Sequence, residues 1–137
     1  MSETAGKVKA LLTKAFPREK ISFQEAEGLG SYKPLLAEII ESEPAMVVIC
    51  FVQQYAEDGT SVNGYKGAIE YHVMQLHDNG VPFVFVQPPE NKKDRTLQAL
   101  FDATVEVCRE NSVSLIHADD LDGKLVPLVR EEAKKEK

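Results

Sequence analysis

The chain has 137 residues, of which 43% are hydrophobic and 28% charged, with a formal net charge of -6. That is the size and composition of one soluble domain, with core enough to fold without disulfides or metals. The acidic balance argues against nucleic-acid backbones and anionic membrane surfaces as partners, and no apolar run approaches the length of a membrane span.

Met1-Ser-Glu-Thr-Ala-Gly-Lys7 has no apolar h-region, so a cytoplasmic protein is expected. Thr4 to Phe16 places Val8, Leu11, Leu12, Ala15 and Phe16 at helical spacing, and Pro17 stops it. Lys20-Ile-Ser-Phe-Gln-Glu-Ala26 alternates apolar and polar residues, the pattern of a short strand. Glu27 to Ser31 reads as a turn. Tyr32 to Ser42 carries Leu35, Leu36, Ile39 and Ile40 on one face, a second amphipathic helix.

Ala45-Met-Val-Val-Ile-Cys-Phe-Val52 is an unbroken apolar run, as is Val81-Pro-Phe-Val-Phe-Val86. The helical pattern between them runs from about Tyr65 to His77, with Ile69, Val73, Met74 and Leu76 inward and Asp78-Asn79-Gly80 as its stop. Apolar strands separated by a helix predict a βαβ unit and strands buried on both faces. The connection Gln53 to Gly64 is long for a βα loop, a place where function often sits. Glu90 to Arg95 reads as a charged loop and Thr96 to Asn111 as the strongest helix of the chain. Val113 to His117 reads as a short strand, Ala118 to Gly123 as an acidic loop, and Leu125 to Lys137 as a last helix. With neither repeat nor linker, residues 1–137 form a single α/β domain.

Cys50 and Cys108 fall in a predicted strand and a predicted helix and read as reduced core residues. No CxxC or Cys/His cluster points to a metal, and no cofactor is implied.

Gly80-Val-Pro-Phe-Val-Phe-Val-Gln-Pro-Pro89, then Thr96–Asn111, then Val113-Ser-Leu-Ile116 resembles the second half of the SGNH (GDSL-type) hydrolases. Glu43-Pro-Ala-Met-Val-Val-Ile49 looks like the strand leading into that family's Gly-x-Asn-Asp block, and Ala26-Glu-Gly-Leu-Gly-Ser31 like its oxyanion-glycine block. The resemblance implies a three-layer, flavodoxin-like domain with a mostly parallel sheet of about four strands. It also implies lost chemistry. There is no Gly-Asp-Ser nucleophile, Gln53 stands where the family's Asn would be, and Leu125 stands where its His would be. The family's first strand, central in its 2-1-3-4-5 order, has no counterpart here. Its loss predicts either direct pairing of the remaining strands or an open edge with an apolar patch. Either outcome implies a homo-oligomer, a homodimer in the simplest case, or completion by another chain.

Ligands bind at the C-terminal edge of a parallel sheet, where Gly28, Gly30, Gln53, Gln54 and Gln87 are expected to converge with His117. Gly28-Leu-Gly30-Ser31 precedes a helix and suits a phosphate cradle, although it is neither GxGxxG nor a Walker motif. His117 stands beside Asp119, Asp120 and Asp122. This reads either as a general base or hard-cation site, or as an acidic turn capping the last helix. His72 and His77, five apart on one helix, do not share a face for a metal.

Two functional expectations follow. The first is a non-catalytic, self-associating binding or assembly protein on a degenerate SGNH-like scaffold. The alternative is a small ester hydrolase using His117 and Asp119, with Ser31 as the nearest hydroxyl nucleophile. A small-molecule ligand is compatible with either.

Overall fold

The computed structural model describes residues 3–24, 32–50, 59–87 and 93–135. In chain order these form α1 (Glu3–Ala15), α2 (Tyr32–Glu41), β1 (Val47–Ile49), α3 (Val62–Asp78), β2 (Phe83–Gln87), α4 (Arg95–Glu110) and β3 (Leu115–His117). A 3-10 turn (Ala118–Asp120), a π turn (Leu121–Leu125) and α5 (Val126–Lys135) follow. The three strands make one sheet in the order β1-β2-β3, and both pairings are parallel. The fold is α/β, as the apolar runs separated by helices predict.

Side chains alternate across a strand, so each strand feeds two cores. Ile49 and Phe85 point into a cluster with Leu36 of α2, Tyr65, Ile69 and Leu76 of α3, and Leu100 and Val107 of α4. Val84, Val86 and Ile116 point the other way, into a cluster with Val8 and Leu12 of α1 and Leu121 and Leu125 of the π turn. Val84 and Leu100 are 0% exposed and Val86 2%. Burial on both faces explains why these strands read as continuous apolar runs rather than alternating ones.

Capping sets where the helices begin. Ser61 accepts a hydrogen bond from the Gly64 N–H at 3.1 Å, so α3 starts at Val62, a few residues before the expected Tyr65. Asp94 does the same for α4, accepting from the Leu97 N–H at 3.0 Å. Gly80, at φ 66°, supplies the left-handed residue that turns the chain from α3 towards β2.

Two expectations about local structure are corrected. Ala118 to Gly123 is not a loop: its first three residues form the 3-10 turn and the remainder opens the π turn. Leu121 and Leu125 are buried, and that anchoring draws the acidic stretch into helical turns. The described part of the expected strand at Lys20–Ala26, residues 20–24, carries no regular secondary structure and pairs with no strand. Strand conformation is stabilised by a hydrogen-bonded neighbour. A groove, not a strand, separates this segment from β1. The described sheet therefore has three strands where about four were expected.

A buried polar relay joins α3 to α4. The Thr104 hydroxyl donates to the Leu100 carbonyl at 2.9 Å, which leaves Tyr65 to donate its hydroxyl proton to Thr104 Oγ1. At the rim of the same contact, Lys66 Nζ reaches Glu106 Oε1 at 3.1 Å. Tyr65→Phe removes the relay's first donor while keeping the ring. It is expected to lower the unfolding free energy by about 1 kcal/mol, measured by urea denaturation.

Candidate functional site

Two places on the sheet gather chemistry-bearing groups: its C-terminal edge and the open side of β1.

At the C-terminal edge β2 and β3 end in register, with Gln87 opposite His117. Gln87 is 0% exposed, and its Nε2 donates to the Phe101 carbonyl at 3.1 Å. Its Oε1 is buried with no hydrogen-bond partner. His117 is exposed and lies over the Phe101 ring, with centroids 5.7 Å apart and planes at 29°. Asp119 is exposed two residues further on, and Asp120 is held at 3.7 Å by Lys124. Among the described residues no hydrogen bond joins His117 to Asp119, and no three His, Cys, Asp or Glu side chains converge as metal ligands. Gly28, Gly30, Ser31, Gln53 and Gln54 lie outside the described residues. Of the expected set, the structure thus brings Gln87 beside His117 and leaves Asp119 in solvent.

The second place is a groove of about 640 Å³ along the side of β1 away from β2, where no described strand pairs. One wall is β1 with its flanks, Met46 to Cys50, and the opposite wall is Lys20 to Gln24. Leu36 of α2 lines it from one face of the sheet, and Val8 and Leu12 of α1 from the other. Hydrogen-bond geometry fixes what β1 presents to it. The Val47 N–H donates to the Pro82 carbonyl at 2.9 Å, towards β2. Successive residues of a strand aim their backbone groups to opposite sides. The N–H and C=O of Val48 therefore face the groove, where no described strand meets them.

The far wall is held to α1, with Lys9 Nζ over the Phe23 ring at 5.1 Å and Ile21 packed on the core beneath the sheet. Cys50 closes the β1 wall, and burial pushes its thiol up to about 12, which keeps it protonated at neutral pH. Cys50 and Cys108 are both free.

His72 is the functional-looking residue that sequence spacing assigned least to. It is 8% exposed, lines the groove, and stacks on Tyr32 with centroids 5.0 Å apart. Its Nδ1–H donates to the Ala68 carbonyl at 2.8 Å, which fixes that tautomer because a carbonyl only accepts. Lys33 covers the neighbouring Tyr71 ring at 4.9 Å. The available signal was Tyr32, Tyr71 and His72 standing at the inner faces of two successive helices.

Comparison with family models, with curated proteins and with solved structures finds no match.

Desolvation lowers the His72 pKa below its ordinary 6.5, with the Ala68 bond opposing in part. A folded value below the unfolded one means that the unfolded chain takes up a proton first as pH falls. The contribution of His72 is complete above the unfolded value and is lost as pH drops below about 6.5. The urea midpoint is expected to fall between about pH 7.5 and about pH 5.5, and to fall less in His72→Phe. Gln87→Met deletes an unpaired buried oxygen together with one bond to a helix carbonyl. Stability within about 1 kcal/mol of the parent, or higher, is expected in thermal denaturation.

Proposed function

We propose that this chain is a non-catalytic binding or assembly protein on a degenerate SGNH-hydrolase-like scaffold, completed along one sheet edge by further polypeptide. The finer fold reading belongs to the same proposal: a three-layer, flavodoxin-like domain in which residues 20–24 flank the place of an absent strand. The observation that supports this reading is the groove between β1 and Lys20–Gln24. It has hydrogen-bonding backbone on one wall and apolar side chains from both faces of the sheet.

An edge with no pairing strand among the described residues is a template for pairing. Self-association is therefore the expected behaviour of the isolated chain, through a homodimer or a larger homo-oligomer. The hydrolytic alternative needs a nucleophile and an oriented base in hydrogen-bond reach of one another. His117 stacks on Phe101 and Asp119 stands in solvent, so the described geometry lends that alternative no support.

Light scattering of the purified chain at micromolar concentration is expected to give a mass above that of one protomer. A monomeric mass across the range would remove the self-association half of the reading.

A further inference from the structure

We propose that the Asn79-Gly80 pair between α3 and β2 is a self-modification site, at which the backbone nitrogen of Gly80 converts Asn79 to aspartate and isoaspartate without an enzyme. This chemistry is independent of how the chain assembles.

The step is a ring closure followed by hydrolysis. Solvent base removes the Gly80 amide proton, and the nitrogen adds to Cγ of Asn79. The N–Cγ bond forms, the Cγ–Nδ2 bond breaks, and Nδ2 takes a proton from water and leaves as ammonia. Water then opens the five-membered imide at either carbonyl. One opening restores the backbone and leaves aspartate. The other leaves isoaspartate, whose main chain runs through the former side-chain methylene. One water is consumed and one ammonia released, with no change of oxidation state.

Asn63, Asn79 and Asn111 each precede a glycine or a serine, and the structure sets the three apart. Asn63 lies in the first turn of α3, with the Gly64 N–H held by Ser61 Oγ at 3.1 Å. Tyr65, the next residue, is fully buried. Turning the backbone at Asn63 unwinds the helix start and draws Tyr65 from the core. Asn79 stands past the last residue of α3, exposed and at ψ 5°. Asn111 holds the same place after α4, exposed and at ψ 7°.

These two caps match bond for bond. Asn79 Nδ2 donates to the Gln75 carbonyl at 2.7 Å, and Asn111 Nδ2 to the Val107 carbonyl at 2.9 Å. The Val81 N–H donates to the Leu76 carbonyl at 2.9 Å, and the Val113 N–H to the Cys108 carbonyl at 2.8 Å. What differs is the attacking residue, Gly80 at φ 66° against Ser112 at φ 55°. The Ser112 Cβ crowds its own nitrogen and stiffens the backbone there. Gly80 has no Cβ, so it approaches Cγ and takes up the counter-rotation that leaves β2 in place. The Asn111 cap is thus a control built into the chain.

Either product puts a carboxylate beside Asp78 at the negative end of the α3 dipole and removes the donor to the Gln75 carbonyl. Isoaspartate also lengthens the main chain just before Val81 and Pro82. Val81 packs on the core, and the Pro82 carbonyl accepts the Val47 N–H at 2.9 Å. The lengthened product therefore loosens the place where β1 and β2 begin to pair.

The test incubates the unmodified protein in mildly alkaline buffer and follows the three asparagines by peptide mapping in the mass spectrometer. Asn79 is expected to convert at least about tenfold faster than Asn63 or Asn111. Gly80→Ala, whose added Cβ meets nothing within 4 Å, is expected to slow conversion of Asn79 at least about tenfold and to leave Asn63 unchanged. The comparison within the parent chain holds whether or not that variant folds. The isoaspartyl product, isolated by chromatography, is expected to show a lower urea midpoint than Asn79→Asp, which carries the same charge on an unlengthened chain.

Conversion of Asn63 or Asn111 as fast as that of Asn79 would overturn the site, as would an Asn79 that stays intact in the folded protein while converting in urea. Aspartate formed with no isoaspartate would mean direct hydrolysis and overturn attack by Gly80. Equal urea midpoints for the isoaspartyl product and Asn79→Asp would overturn the effect on β2.

Discussion

Everything in this molecule depends on β2 being covered on both faces. Phe83 to Gln87 pairs with β1 on one side and β3 on the other, and its residues from Val84 onward are buried. A strand in that position favours apolar side chains on both faces, Gln87 at its end being the buried polar exception, and it requires helices on both faces to supply the cover. The rest of the architecture answers that demand. Helices α2, α3 and α4 pack against Phe85 and its neighbours, while α1 and the π turn pack against Val84 and Val86. The Tyr65–Thr104–Leu100 relay then fixes how α3 and α4 lie against one another without leaving a hydroxyl unpaired between them.

The same constraint explains where the sequence was legible. Val81 to Val86 announces a buried strand because burial on both faces writes itself into composition, and within Ala45 to Val52 the described strand is Val47–Ile49. The helix at Thr96–Asn111 is legible for a similar reason, since one apolar stripe faces one core. Lys20 to Ala26 was read as a strand on its alternation alone, and its described part, residues 20–24, lies outside the sheet. Alternation reports which side chains prefer cover, but pairing depends on a neighbour brought close by the rest of the chain. The acidic residues after His117 misled in the opposite direction. Their charge suggested a loop, while Leu121 and Leu125 between them decided the backbone.

The candidate site was legible only in part. Gln87 and His117 are brought together by strand register, which sequence position at the ends of two predicted strands anticipates. The orphaned Oε1 of Gln87 could not be foreseen, because it depends on which helix carbonyl the amide nitrogen finds across the core. His72 was hidden by spacing rules that ask about metal ligands. Its place is set instead by an aromatic partner from α2 and a carbonyl one turn earlier on its own helix. Both are tertiary facts, and no local pattern encodes them.

The groove and the C-terminal edge make different demands on individual side chains. A hydrolytic site needs a nucleophile, a base and an oriented partner held at hydrogen-bond distances, so one substitution at any of them abolishes the reaction. A strand-receiving edge is built from backbone groups and apolar surface, and many sequences supply both. Leu125 illustrates how packing demands differ from those of chemistry. It is fully buried among α1 and β3 residues, where an imidazole would need a partner and a leucine needs none. Packing alone accounts for a leucine there, whereas Val48 keeps its outward N–H and C=O whatever its side chain becomes. The backbone groups that β1 turns away from β2 are therefore the feature of this fold most resistant to sequence drift.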